Sequence, residues 1–175
     1  MHPIPAVKAC VEQIILNGIC QYLSESHITT TSSIINKYIL TYQSGADLPS
    51  EVVALTAAQL LAKILPILGE AIKAQLDEFL GSLLPALSKD SVALQTTVTR
   101  SLVMMGNTDA SIIEVMIKQL ILQLTHHIQF ARDKTDVKMR EEILLGDGIT
   151  SYCKAIGELL LLLFTSFLVF SSADA

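Results

Sequence analysis

Few residues in this chain could do chemistry, and their spacing argues against most of it. His126 and His127 stand side by side in THHIQ (Thr125–Gln129). Successive helical residues point about 100° apart, whereas a zinc-binding helix sets its ligands three or four positions apart. No His, Cys or Glu stands at that distance from either histidine. The pair therefore reads as surface or rim histidines, and no metal is expected. Cys10 and Cys20 share one expected helix and read as small buried hydrophobes. Cys153 lies between Tyr152 and Lys154, and one lysine is too little positive charge to hold a reactive thiolate.

The carboxylates are no more promising. Asp77 with Glu78, and Glu141 with Glu142, are adjacent rather than facing pairs. General acid–base work needs two such groups converging on one pocket. The run GDG (Gly146–Gly148) follows no strand and is too short to cradle a phosphate, so it reads as a helix stop. Met104, Met105, Met116 and Met139 suit either core packing or an adaptable binding groove. Neither a catalytic residue nor a cofactor is expected, and the chain reads as a non-enzyme.

Composition narrows the remaining classes. Charged residues make up 17% of the 175-residue chain, against about 25% in an ordinary soluble domain, and apolar residues make up 51%. That is too little charge to coat a compact sphere, so part of the surface is expected to meet another polypeptide or lipid. The net charge is −5, and the most basic stretch, RDKTDVKMREE (Arg132–Glu142), interleaves its cations with as many anions. Direct nucleic-acid binding, which needs clustered Lys and Arg, is not expected. Three cysteines without a CxxC pair, no Asn-x-Ser/Thr acceptor and no signal-like start point to an intracellular protein, cytoplasmic or nuclear. The opening HPIP reads like a mid-protein connection, so residues 1–175 are expected to be a single helical domain within a longer chain.

The elements that would position these residues are helices throughout. Val7, Cys10, Val11, Ile14, Ile15, Ile19 and Leu23 recur at spacings of three and four, one face of an amphipathic helix. Shorter helical patterns follow in IINKYILTYQ and, after Pro49, in SEVVALTAAQLLAKIL, which runs into Pro66 and Gly69. EAIKAQLDEFLGSLLPAL is expected as one helix, with Asp90 capping SVALQTTVTRSLVMM and Gly106 ending it. Thr108 or Asp109 would cap the long apolar ASIIEVMIKQLILQLTHHIQF. VKMREEILL and a last helix from about Ile149 to Phe170 complete an all-α chain of sequential antiparallel neighbours.

The stretch from Phe79 to Gly106 resembles a HEAT repeat. Its first helix carries Leu83, Leu84, Pro85 and Leu87, Asp90 occupies the turn, and Leu94, Val98 and Leu102 form the inward face of the second helix. Gln95 stands where the family commonly has an arginine, so the Asp–Arg ladder of ideal repeats is missing. KILPILGEA echoes the Leu-Pro ending nineteen positions earlier, and Asp47, Asp90 and Asp133 stand 43 residues apart, inside the period of such units. The resemblance implies stacked antiparallel helix pairs, an irregular HEAT/armadillo-like solenoid segment with a docking face on its inner helices. A compact helical bundle is the alternative architecture.

The C-terminal run Leu159–Phe170 is apolar apart from Thr165 and Ser166. Twelve helical residues rise about 18 Å, short of a bilayer core of about 30 Å, and extension toward the N-terminus brings in Glu158 and Lys154. A membrane anchor is therefore not the expectation; a helix covered by protein is. The expected function is a scaffold that binds a protein partner through Leu163, Phe167 and Phe170, with Met104 and Met105 as a second set. A homodimer would be one way to cover the same residues. The alternative is a membrane-associated helical bundle, similar in plan to Bcl-2-like proteins.

Overall fold

The computed structural model describes residues 30–37, 39, 51–69, 71–89 and 91–173, together with 9, 10, 13, 14 and 17; of these, the side chains of 51 and 167–173 are not described. The expected helix over residues 7–23 therefore lies largely outside the described residues, as do Cys20, Pro49 and Asp90. Cys10 is described and is exposed, which corrects its reading as a buried hydrophobe.

Every regular element among the described residues is helical. Beyond the helical segment 30–37, the helices are α1 (Glu51–Leu68), α2 (Ala71–Ala74), α3 (Leu76–Ala86), α4 (Val92–Thr108), α5 (Ile113–Arg132), α6 (Val137–Leu145) and α7 (Asp147–Ala173). A 3₁₀ turn, Ala110–Ile112, leads into α5. Pro66 does not stop α1 but sits inside its last turn, and Gly69, at φ 52°, ends it in the left-handed region that glycine tolerates. The single helix expected from Glu70 to Leu87 is two helices, broken at Gln75. At the next boundary Ser91 is the N-cap, its hydroxyl accepting from the Leu94 N–H at 3.3 Å.

Gly106 does not terminate α4. It is buried inside the helix, and a Cβ there would stand 2.9 Å from Leu162 Cδ2 and 3.0 Å from Ile113 Cγ1. The glycine is a notch that lets α7 and the start of α5 close on α4. Asp109 then caps the 3₁₀ turn through the Ser111 N–H at 2.9 Å and pairs with Lys73 of α2 at 2.6 Å. The hydrogen bond from Lys73, with those from Ser111, holds the Asp109 carboxyl down at about 2. Because the folded value lies below the unfolded one, this contribution is present above about pH 4 and is lost as the pH falls toward 2. Asp109→Asn is expected to flatten the acid limb of a stability–pH curve in that window; an unchanged limb would show that the pair contributes nothing.

The helices are placed by one continuous core. α4 sits between α1 and α7, and α3 and α5 pack against each other and against that row. Leu94, Val98 and Leu102 of α4 are fully buried, with Leu83, Leu84 and Leu87 from the preceding helix and turn. Gln95 donates from Nε2 to the Lys89 carbonyl at 2.7 Å and so ties α4 back to the turn. α4 and α7 run in the same direction. Val92 and Gln95 face Asp147 and Ser151 at one end, Thr99 faces Lys154 farther along, and Gly106 meets Leu162 at the other end.

The segment 30–37 docks on α3 through buried polar groups. Ser32, Ile35, Asn36 and Ile39 lie at i, i+3, i+4 and i+7, a single helical face, and all four are buried. Asn36 Nδ2 donates to the Glu78 carbonyl at 2.8 Å, and Ser82 Oγ lies between Asn36 Oδ1 and the Phe79 carbonyl. Ser32 Oγ donates to Gln75 Oε1 at 3.1 Å. Each buried polar group thus has a partner, which offsets the cost of taking it out of water.

Candidate functional site

The residues singled out for chemistry do not come together. His126 is exposed, while His127 is half-buried with its ring 6.3 Å from that of Tyr152. Cys153 is exposed, as are Asp77, Glu78, Glu141 and Glu142. Among the described residues no group of three His, Cys, Asp or Glu side chains could hold a metal ion. The Glu78 carboxylate accepts a hydrogen bond from Ser33 at 2.6 Å, a structural tie between the segment 30–37 and α3.

Tyr152 is a buried titratable group at the start of α7. Its hydroxyl donates to the Leu84 carbonyl at 3.0 Å, and burial pushes its pKa above the ordinary value of 10.0, opposed in part by a hydrogen bond with Ser88. The start of α7 comes close at the same place: a Cβ on Gly148 would lie 3.3 Å from His127 Nε2 and 3.4 Å from Ser88 Cα. Ser88, His127, Gly148 and Tyr152 thus clamp α7 to the end of α3 and the side of α5. The cluster is packed shut, and its geometry is that of a pin.

Surface contacts are the alternative to chemistry, and here the expected residues divide. Met105 is fully buried in the core and is a packing residue, not a contact surface. Met104 is half-buried and lines open grooves on either side of α4. Leu163 is half-buried and leans on the core, while the Phe167 and Phe170 side chains lie outside the described residues. Among the described residues of α7, the large apolar side chains that are exposed are Leu160, Leu161 and Phe164, the last two at 61% and 66%.

The phase of α7 explains that division. Tyr152, Ala155 and Leu159 are buried at spacings of three and four, so the opposite side carries Lys154, Gly157, Glu158 and Leu161. In the run LLLLLF composition offers no phase at all. The polar residues just before it do, because continuing from Lys154 and Glu158 by helical steps reaches Leu161. No family model matches the chain, and neither a curated protein nor a solved structure matches it.

Proposed function

We propose that this chain is a non-catalytic, intracellular interaction scaffold, a short run of stacked helix pairs of the HEAT/armadillo-like kind that docks a protein partner on α7. The observation that carries the reading is the exposed apolar set Leu160, Leu161 and Phe164, aligned on a helix whose other side is pinned in the core. Clustered apolar surface of this sort marks interaction sites more often than isolated exposed residues do. The stacked-pair architecture is supported by α4 and α7 running in the same direction as neighbours, with α1 on the other side of α4. Second helices of successive pairs meet in this way, whereas sequential neighbours in an up-and-down bundle are antiparallel.

A second reading draws on the same helix. The stretch Val137–Ser166 is long and apolar enough to cross a bilayer by length and composition, and only 28% of its apolar window is buried. Lys154 and Glu158 inside it weigh against spanning, each at roughly 2.5–3.5 kcal/mol near the bilayer centre, so lipid contact would be along one side. A photo-crosslinking residue placed at Phe164 of the full chain in cells tests both. A discrete protein adduct, lost on Leu161→Glu, is the expected result, and an adduct of two copies would make the partner this chain itself. Lipid adducts alone would replace the scaffold by the membrane reading. No adduct would leave α7 without a docking role.

A further inference from the structure

The face of α4 turned away from the core lies between two open grooves. A groove of about 480 Å³ separates it from α1, with Ala62, Lys63 and Pro66 on the far wall. A groove of about 370 Å³ separates it from α7, with Lys154 and Glu158 on the far wall. Arg100 and Met104 line both, so the two depressions meet across one ridge.

The charge on this face is opposite to that of the chain. The protein carries a net −5, yet Arg100 and Lys154 line the grooves against the single lining carboxylate of Glu158. Neither Arg100 nor Lys154 forms an ion pair among the described residues, although Glu158 is one turn from Lys154. The walls between the cations are apolar: Ala62 and Pro66 on α1, Val103 and Met104 on α4. Methionine adapts its shape to whatever fills such a depression, and an arginine fork takes a carboxylate through two parallel hydrogen bonds.

We infer that the α1–α4–α7 face binds an acidic peptide segment of a partner protein, laid along α4 with its carboxylates on Arg100 and Lys154 and its apolar side chains in the two grooves. The inference goes beyond the docking reading above, since none of Leu160, Leu161 and Phe164 lines either groove, and it assigns a second face with a partner of stated chemistry. A polynucleotide fits poorly, because no aromatic side chain lines either groove and the chain as a whole would repel it. Paired depressions divided by a helix also suit inserted side chains better than a flat lipid surface.

The test uses a fluorescein-labelled helical peptide built from Glu and Leu, titrated against the full chain and followed by anisotropy. Saturable binding that weakens with added salt is expected, and Arg100→Glu should weaken it at least about tenfold, as charge reversal at a contact does. Lys154→Glu should act in the same direction. Both side chains are exposed, so melting temperatures should not move, which separates lost binding from lost fold. The matching Lys/Leu peptide should not bind. Absence of binding by the acidic peptide, or binding indifferent to Arg100→Glu, would overturn the inference. So would an effect of Arg100→Glu confined to phosphatidylserine vesicles. If crosslinks from Phe164 to a protein persist while the acidic peptide fails, this second face is not an acidic-peptide site and the docking role of Leu160, Leu161 and Phe164 stands.

Discussion

Phe79→Ala is expected to lower the unfolding free energy by about 3–5 kcal/mol, the usual cost of emptying a large aromatic site. Phe79 is 1% exposed and heads the fully buried side chains by volume. It stands on α3, its carbonyl accepts from Ser82, and it belongs to the continuous core cluster. Interiors of this kind are close-packed and relax only in part, so the cavity left by alanine should persist. Urea denaturation should show a lower midpoint with an unchanged slope. Phe130→Ala is the control: its ring is 54% exposed and serves mainly as a platform for Lys134, 4.0 Å above it, a contact worth about 0.5–1 kcal/mol. A loss at Phe79 no larger than that at Phe130 would contradict the placement of α3 in the core.

The second large effect belongs to α7. Leu162→Asp is expected to cost about 3 kcal/mol or more, because it sets an unpaired carboxylate where Leu162 now fills the notch above Gly106. Leu161→Asp, one residue earlier, should stay within about 0.5 kcal/mol, since Leu161 is 61% exposed. The pair measures the rotation of a helix whose sequence is nearly uniform there. Equal melting temperatures for the two variants would show that α7 does not present Leu162 to α4. A large loss at Leu161 instead would mean that this side of the helix is covered, by a second copy or another protein, in the state measured.

Both expectations rest on the helical phase, and that is where sequence and structure part company. The existence of the helices was legible because apolar spacing of three and four extends over long stretches, and Asp109 was legible as an acceptor for free N–H groups, whereas the caps Ser91 and Asp136 are seen only in the structure. The buried face of α4 was legible for the same reason: Leu94, Val98 and Leu102 stand out against Thr96, Thr97 and Arg100. In LLLLLF no such contrast exists, so composition does not separate the core-facing Leu163 from the exposed Leu161 and Phe164, and residue type does not separate the buried Met105 from the half-buried Met104.

What the sequence determined by itself is local: which stretches are helical, and the inward face wherever polar residues mark the outward one. These follow from interactions within a few residues along the chain. What only the tertiary structure decided is whatever depends on a neighbour distant in sequence. Gly106 is a docking notch because Leu162 arrives there, Tyr152 is a pin because the Leu84 carbonyl awaits its hydroxyl, and Asn36 is interior because Glu78 and Ser82 satisfy it. Arg100 and Lys154 are more than fifty residues apart in the chain and flank one groove only because α4 and α7 run side by side. Burial free energy is set by the sum of such contacts, and no window of sequence contains both partners.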